Sequence, residues 1–112
     1  MSTDLLTQLE TAETPTREMF YRAANFGTDK GTHIVEEDLS HFEGLLDAEA
    51  WTDAAMMLLN PDWGVKVTKF HGIWNAVVSA WRSDFRRYDH IGDAMAKHPA
   101  LAFLAAIVRA RG

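Results

Sequence analysis

The chain predicts a single α+β domain over residues 1–112, with a three-stranded antiparallel sheet, the C-terminal helix on one sheet face and the N-terminal helices on the other. Three observations carry this. Apolar residues recur at helical spacing up to Pro61. Between Trp63 and Ile91 the apolar period changes to two, with turn residues between the runs. From Pro99 an alanine-rich apolar run closes the chain, with proline suited to the first position of a helix.

Leu5, Leu6, Leu9 and Ala12 form one stripe of a first helix. Thr14-Pro15 predicts a second helix, with Thr14 as its cap and Pro15 at its first position. That helix runs to Asn25 and buries Met19, Phe20, Ala23 and Ala24. The turn-rich run Asn25 to Gly31 follows, and residues 26–33 are expected to be a mobile loop. Val35, Leu39, Phe42 and Leu46 predict a third helix over 34–46, with Glu36, Glu37 and Asp38 near its positive end. A short helix capped by Asp47 or Thr52 and ended by Asn60-Pro61 completes this half.

Trp63, Val65 and Val67 alternate with Gly64, Lys66 and Thr68 in the first strand. His71-Gly72 makes a two-residue hairpin loop. The second strand puts Trp74, Ala76, Val78 and Ala80 on one face and Asn75, Val77, Ser79 and Trp81 on the other. Trp74 and Trp81 therefore cannot share a face without a bulge. Arg82-Ser83-Asp84 turns into a polar edge strand over 85–91, and residues 92–97 connect onward. His98-Pro99 opens the last helix, whose core stripe is Leu101, Leu104 and Val108.

Charge is divided unevenly. Residues 1–62 carry 13 Asp and Glu against 3 Lys and Arg, and residues 63–112 carry 3 against 8, giving the net −5. Either the two halves neutralise each other, or the acidic half binds a basic partner, or a basic face on the second half meets nucleic acid. The chain has no cysteine, which excludes disulfides, thiolate metal sites and cysteine nucleophiles. No leader is visible in Met1-Ser2-Thr3-Asp4, and no apolar stretch reaches the roughly 18 residues of a membrane span. A cytoplasmic protein is expected.

Candidate chemistry is sparse. His33, Glu37 and His41 recur every four residues and could ligate a metal from one helix face, or could simply be part of a solvated face. Ser83, Asp84 and His90 lack the strand-turn-helix context of a nucleophile, and no glycine-rich phosphate loop occurs. No cofactor and no catalytic residue is assigned. The strand aromatics with Lys66, Arg82, Arg86 and Arg87 have the ingredients of a protein hot spot or of base stacking. The expected partner-binding residues are Glu36, Glu37, Asp38, Glu43, Trp81, Arg86 and Arg87.

Three stretches carry a family resemblance. They are Phe42 to Trp63, with Asp53-Ala54-Ala55, Pro61 and the strand-opening Trp63; His98 to Ala110, with Pro99-Ala100-Leu101-Ala102 and a tail ending Arg109-Ala110; and Leu5 to Ala12, followed by Arg17-Glu18. Together these resemble the phage ABA sandwich domain family over most of the chain outside 26–40. The chain departs at His98, where the family usually has Thr, and at Met19-Phe20, where Leu-Asp is common. The resemblance implies a phage or prophage gene and brings no activity or functional residue. The expectation is a small non-enzymatic phage accessory protein that binds a protein partner, a host factor or a host defence complex such as CRISPR, through its acidic face. The alternatives are a nucleic-acid-binding accessory protein using the strand aromatics and arginines, or a metal-dependent enzyme using His33, Glu37 and His41.

Overall fold

A computed structural model describes residues 3–26, 36–59 and 62–111. Its elements are α1 (Thr3–Thr11), α2 (Arg17–Asn25), α3 (Glu36–Asp47), α4 (Trp51–Met56), β1 (Trp63–Phe70), β2 (Ile73–Arg82), β3 (Arg87–Ala96) and α5 (Pro99–Arg111). The strands form one antiparallel sheet in the order β1-β2-β3, and α5 packs on one face of it. The loop expected over 26–33 lies outside the described residues except for Phe26, which ends α2 and packs partly buried against the core.

Local chemistry sets the element ends, in places not where the sequence pattern suggests. Thr16, not Thr14, caps α2, its hydroxyl accepting from the Met19 N–H at 3.4 Å. Pro15 is buried one residue before that cap. The end of α3 is a Schellman motif: Glu49 sits in the left-handed region (φ 58°), and the N–H groups of Glu49 and Ala50 donate to Leu46 and Leu45. Neither Asp47 nor Thr52 caps α4, because Ala50 occupies that position without a side-chain bond.

The β1-β2 hairpin closes as expected. His71 (φ 53°) and Gly72 (φ 81°) both have positive φ, the requirement of a type I′ turn. The second turn occupies residues 83–86, with the Phe85 N–H donating to Arg82 and Arg86 left-handed at φ 52°. Phe85 and Arg86 are therefore turn residues, not strand. At its other end β3 continues through Ala96, absorbing the segment expected to connect onward. A β-bulge interrupts it: Val78 pairs with Gly92 but Ser79 pairs with His90, which leaves Ile91 extra.

The helices lie in two layers on the same side of the sheet. Every residue from Ala100 to Val108 is buried, so α5 is covered all round. The sheet covers one side through Ala76, Val78, Ala94 and Ala96. Helices α1, α2 and α4 pack on the other side, bringing Leu9, Phe20 and Leu58 into the same core as Phe103 and Leu104. The second face of the sheet is thus left uncovered, where the N-terminal helices were expected. A helix apolar on every side needs two covers, and the sheet supplies only one.

Both ends of α5 are pinned. Arg109 pairs with Glu10 of α1 at 2.8 Å, and the Arg111 guanidinium donates to the Leu58 carbonyl. Burial pushes the Arg111 pKa down. At the start, His98 Nδ1 accepts from the Ala100 N–H at 3.1 Å while the His98 carbonyl takes the first helical bond from Ala102. Burial lowers the His98 pKa below its ordinary 6.5. Nδ1 accepts this bond only while the ring is not doubly protonated. The cap's contribution is therefore complete above the unfolded value and is lost as pH falls through the lowered folded value. Urea unfolding at about pH 7.5 and about pH 5 is expected to show a larger loss for the wild type than for His98→Asn, whose amide caps without titrating. Equal losses would remove this cap from the acid response.

Candidate functional site: the open face of the sheet

Directly opposed residues of an antiparallel ladder share a face. Phe70 opposes Ile73, Trp81 opposes Tyr88, and Asn75 opposes Met95. By the alternation of β2, all six lie on the face away from α5. Five are large and apolar, and they are exposed: Phe70 by 72%, Ile73 by 38%, Trp81 by 47%, Tyr88 by 60% and Met95 by 61%. Lys66, Thr68, Val77, Ser79, His90 and Asp93 share this face, and His90 Nε2 lies 3.6 Å from the Asp93 carboxylate. Trp74 faces the helices with Lys69, whose Nζ lies 5.5 Å from the Trp74 ring. The two tryptophans of β2 thus point to opposite faces, as strand parity requires.

The bulge builds the aromatic end of the open face. Were Ile91 paired with Ser79 in regular alternation, Tyr88 would fall on the helix side of β3. With the bulge, the Tyr88 and Trp81 rings meet at 5.1 Å between centroids and 62° between planes. The Tyr88 ring lies over Gly64, where a Cβ would meet it at 3.5 Å, an ordinary packing distance. Asp62, Trp81, Ser83 and Tyr88 line a recess of about 580 Å³. A second recess, of about 350 Å³, lies against Tyr88 with Gly64, Lys66, Val77 and Ser79 in its wall.

The same bulge puts Arg87 on the helix side, where the alternation of β2 already places Arg82. Arg82 opposes Arg87 and Ala80 opposes Asp89, all on the helix side. Arg82 Nε and Arg87 Nε reach the two oxygens of Asp89 at 3.3 and 3.0 Å, and Arg87 also lies 5.0 Å over Phe85. Arg86 is exposed in the turn. The expected grouping of Trp81 with Arg87 is therefore not brought together.

The acidic residues form a separate surface. Helix α3 packs on α4, with Tyr21 of α2 donating to Glu43 at 3.1 Å and Arg17 bonded to Asp47. Burial and the Glu43 hydrogen bond both raise the Tyr21 pKa. Glu37 and Asp38 are exposed, and Glu36 opens α3. Helix α3 packs on α4, which packs on α5 and not on the open face, so the α3 acids and Trp81 belong to different layers. Glu10–Arg109 and Glu13–Lys97, the latter at 3.6 Å, join the two charge halves. Glu37 and His41 are one turn apart and exposed, whereas His33 lies outside the described residues. Among the described residues no cluster of three His, Asp or Glu is placed to hold a metal, and no helix is long and apolar enough to cross a membrane.

No family model, curated protein or solved structure matches the chain.

Proposed function

We propose that this chain is a non-enzymatic binding module that docks a partner protein on the open face of its sheet. One observation carries this: five large apolar side chains from all three strands lie exposed on a single uncovered face, three at one end and the Trp81–Tyr88 pair at the other. Patches of that kind on a small domain mark interaction surfaces. Trp and Tyr in contact at one end have the composition of a hot spot. In the setting implied by the family resemblance, the protein is a phage accessory factor in the bacterial cytoplasm, and its partner is a host factor such as a component of a CRISPR-type defence complex. The nucleic-acid alternative loses support because Arg82 and Arg87 are held by Asp89 on the other side of the sheet.

The test is differential capture from bacterial lysate. A stoichiometric partner is expected with the wild type and with Glu37→Lys/Asp38→Lys, and not with Trp81→Ala. Retention by Trp81→Ala with loss in the α3 variant would move the docking surface to the acidic helix.

A further inference from the structure

We infer that the open face pairs with a second copy of this chain, the two sheets packed face to face about a two-fold axis with their β2 strands running the same way. This rests on that face being an interaction surface and names its occupant in the free protein. The ladder sets the pattern. Phe70 and Ile73, with Met95 one row inward, make one end apolar, and Trp81 with Tyr88 makes the other. Between the ends, Lys66, Val77 and Asp93 form a single row across the three strands. Among the described residues of the strands, Lys66 and Asp93 are the one lysine and the one carboxylate on this face, and both are exposed.

Two apolar ends flanking a charged row can meet their own copy in two ways, since a two-fold interface uses the same patch on both subunits. With the β2 strands running in opposite directions, the Trp81 end covers the Phe70 end, but Lys66 stands over Lys66 and Asp93 over Asp93. With the strands running the same way, each end covers its own kind and Val77 faces Val77. Lys66 of each copy then stands over Asp93 of the other. The apolar pattern accepts both arrangements, and the charges select the second, in which both contacts are attractive. Sheets packed face to face lie about 10 Å apart with strands within about 30°, a gap that lysine and aspartate span from opposite sides. Strand spacing and rise give the face about 500 Å² per copy. The total, about 1,000 Å², is at the lower limit for a specific interface, so the dimer is weak and a tighter partner displaces it.

The test is sedimentation equilibrium of the full chain at low salt, from about 10 µM to about 1 mM. His90 Nε2 lies 3.6 Å from Asp93 and competes for it when protonated. The measurement therefore runs at about pH 8, above the ordinary histidine range. A monomer–dimer equilibrium with Kd of about 100 µM is expected. Trp81→Ala is expected to weaken it about tenfold. Lys66→Glu and Asp93→Lys are each expected to weaken it about fivefold, and the double reversal Lys66→Glu/Asp93→Lys to restore it. That recovery also shows that the single variants are folded. A monomer throughout the range, a dimer indifferent to Trp81→Ala, single reversals without effect, or a double reversal without recovery would each overturn the inference. Its failure is separable from failure of the docking surface. If the chain stays monomeric while Trp81→Ala loses the lysate partner, the docking face stands and self-pairing falls. If Trp81→Ala abolishes the dimer but keeps the lysate partner, self-pairing stands and the partner docks elsewhere.

Discussion

Replacing Gly92 by alanine is expected to destabilise the domain by about 3 kcal/mol, at the upper end of what overpacking costs. A Cβ at Gly92 would lie 2.7 Å from the Ala106 carbonyl oxygen and 2.8 Å from the Ala110 nitrogen. Both atoms are backbone, so no rotamer change can relieve the clash. Either β3 or the whole of α5 must move, and α5 is enclosed by the sheet on one side and by α1, α2 and α4 on the other. Arg109 and Arg111 further anchor its end to Glu10 and Leu58. Urea unfolding gives the measurement. Gly44→Ala is the matched control: a Cβ there meets nothing within 4 Å, and the residue lies exposed in α3. That substitution is expected to stabilise by about 0.5–1 kcal/mol, because alanine loses less backbone entropy in a helix. A loss below about 1 kcal/mol at Gly92 would mean that α5 can slide on the sheet.

Trp81→Ala is expected to weaken partner binding by at least about 2 kcal/mol, roughly 30-fold, while changing stability much less. The asymmetry follows from where the ring sits. Trp81 is 47% exposed, and its ring contact is with Tyr88, itself 60% exposed. In the free protein its removal forfeits one edge-to-face pair, worth about 0.5–1.5 kcal/mol. In the complex it also removes apolar area that docking would desolvate. Binding measured by titration calorimetry against the captured partner, with unfolding followed in parallel, separates the two effects. Equal losses in both would assign Trp81 a packing role. Unchanged affinity would place docking elsewhere.

Much of the fold was legible because local chemistry leaves little choice. His71-Gly72 between two alternating runs specifies the hairpin, since glycine tolerates the positive φ that a type I′ turn demands. His98-Pro99 specifies the start of α5, where the imidazole reaches the Ala100 N–H left unpaired in the first turn. Met19, Phe20, Ala23 and Ala24 are buried as their spacing implied. The start of α2 was one cap away, because Thr14 and Thr16 have equal intrinsic capping ability and only the chain's path selects between them. The end of β3 was missed for a physical reason: Gly92, Asp93, Ala94, Met95 and Ala96 have weak strand preference, and their pairing with β2 holds them extended.

The candidate site was half legible. Parity alone put Trp74 and Trp81 on opposite faces, and the structure places Trp81 outward. The partnership of Trp81 with Tyr88, and the removal of Arg87 to the other face, depend on the bulge at Ile91. A one-residue slip reverses every side chain beyond it, and the polar edge strand gives no apolar pattern that would reveal the slip. The acidic residues of α3 were correctly seen as charged and surface-seeking, but proximity along the sequence says nothing about which surface they occupy.

The amino-acid order by itself determined the elements and their succession, because turns, caps and apolar periods act over a few residues. It also contained an unused clue to the layering: nine consecutive apolar residues, Ala100 to Val108, cannot be served by one neighbour. Only the tertiary structure decided which layer the N-terminal helices join. Stacking them on α5 buries a helix that is apolar on every side, whereas stacking them on the second sheet face would have covered Lys66, Thr68 and Asp93 and left half of α5 in water. The exposed aromatic face, and with it the site proposed here, is the consequence of that choice.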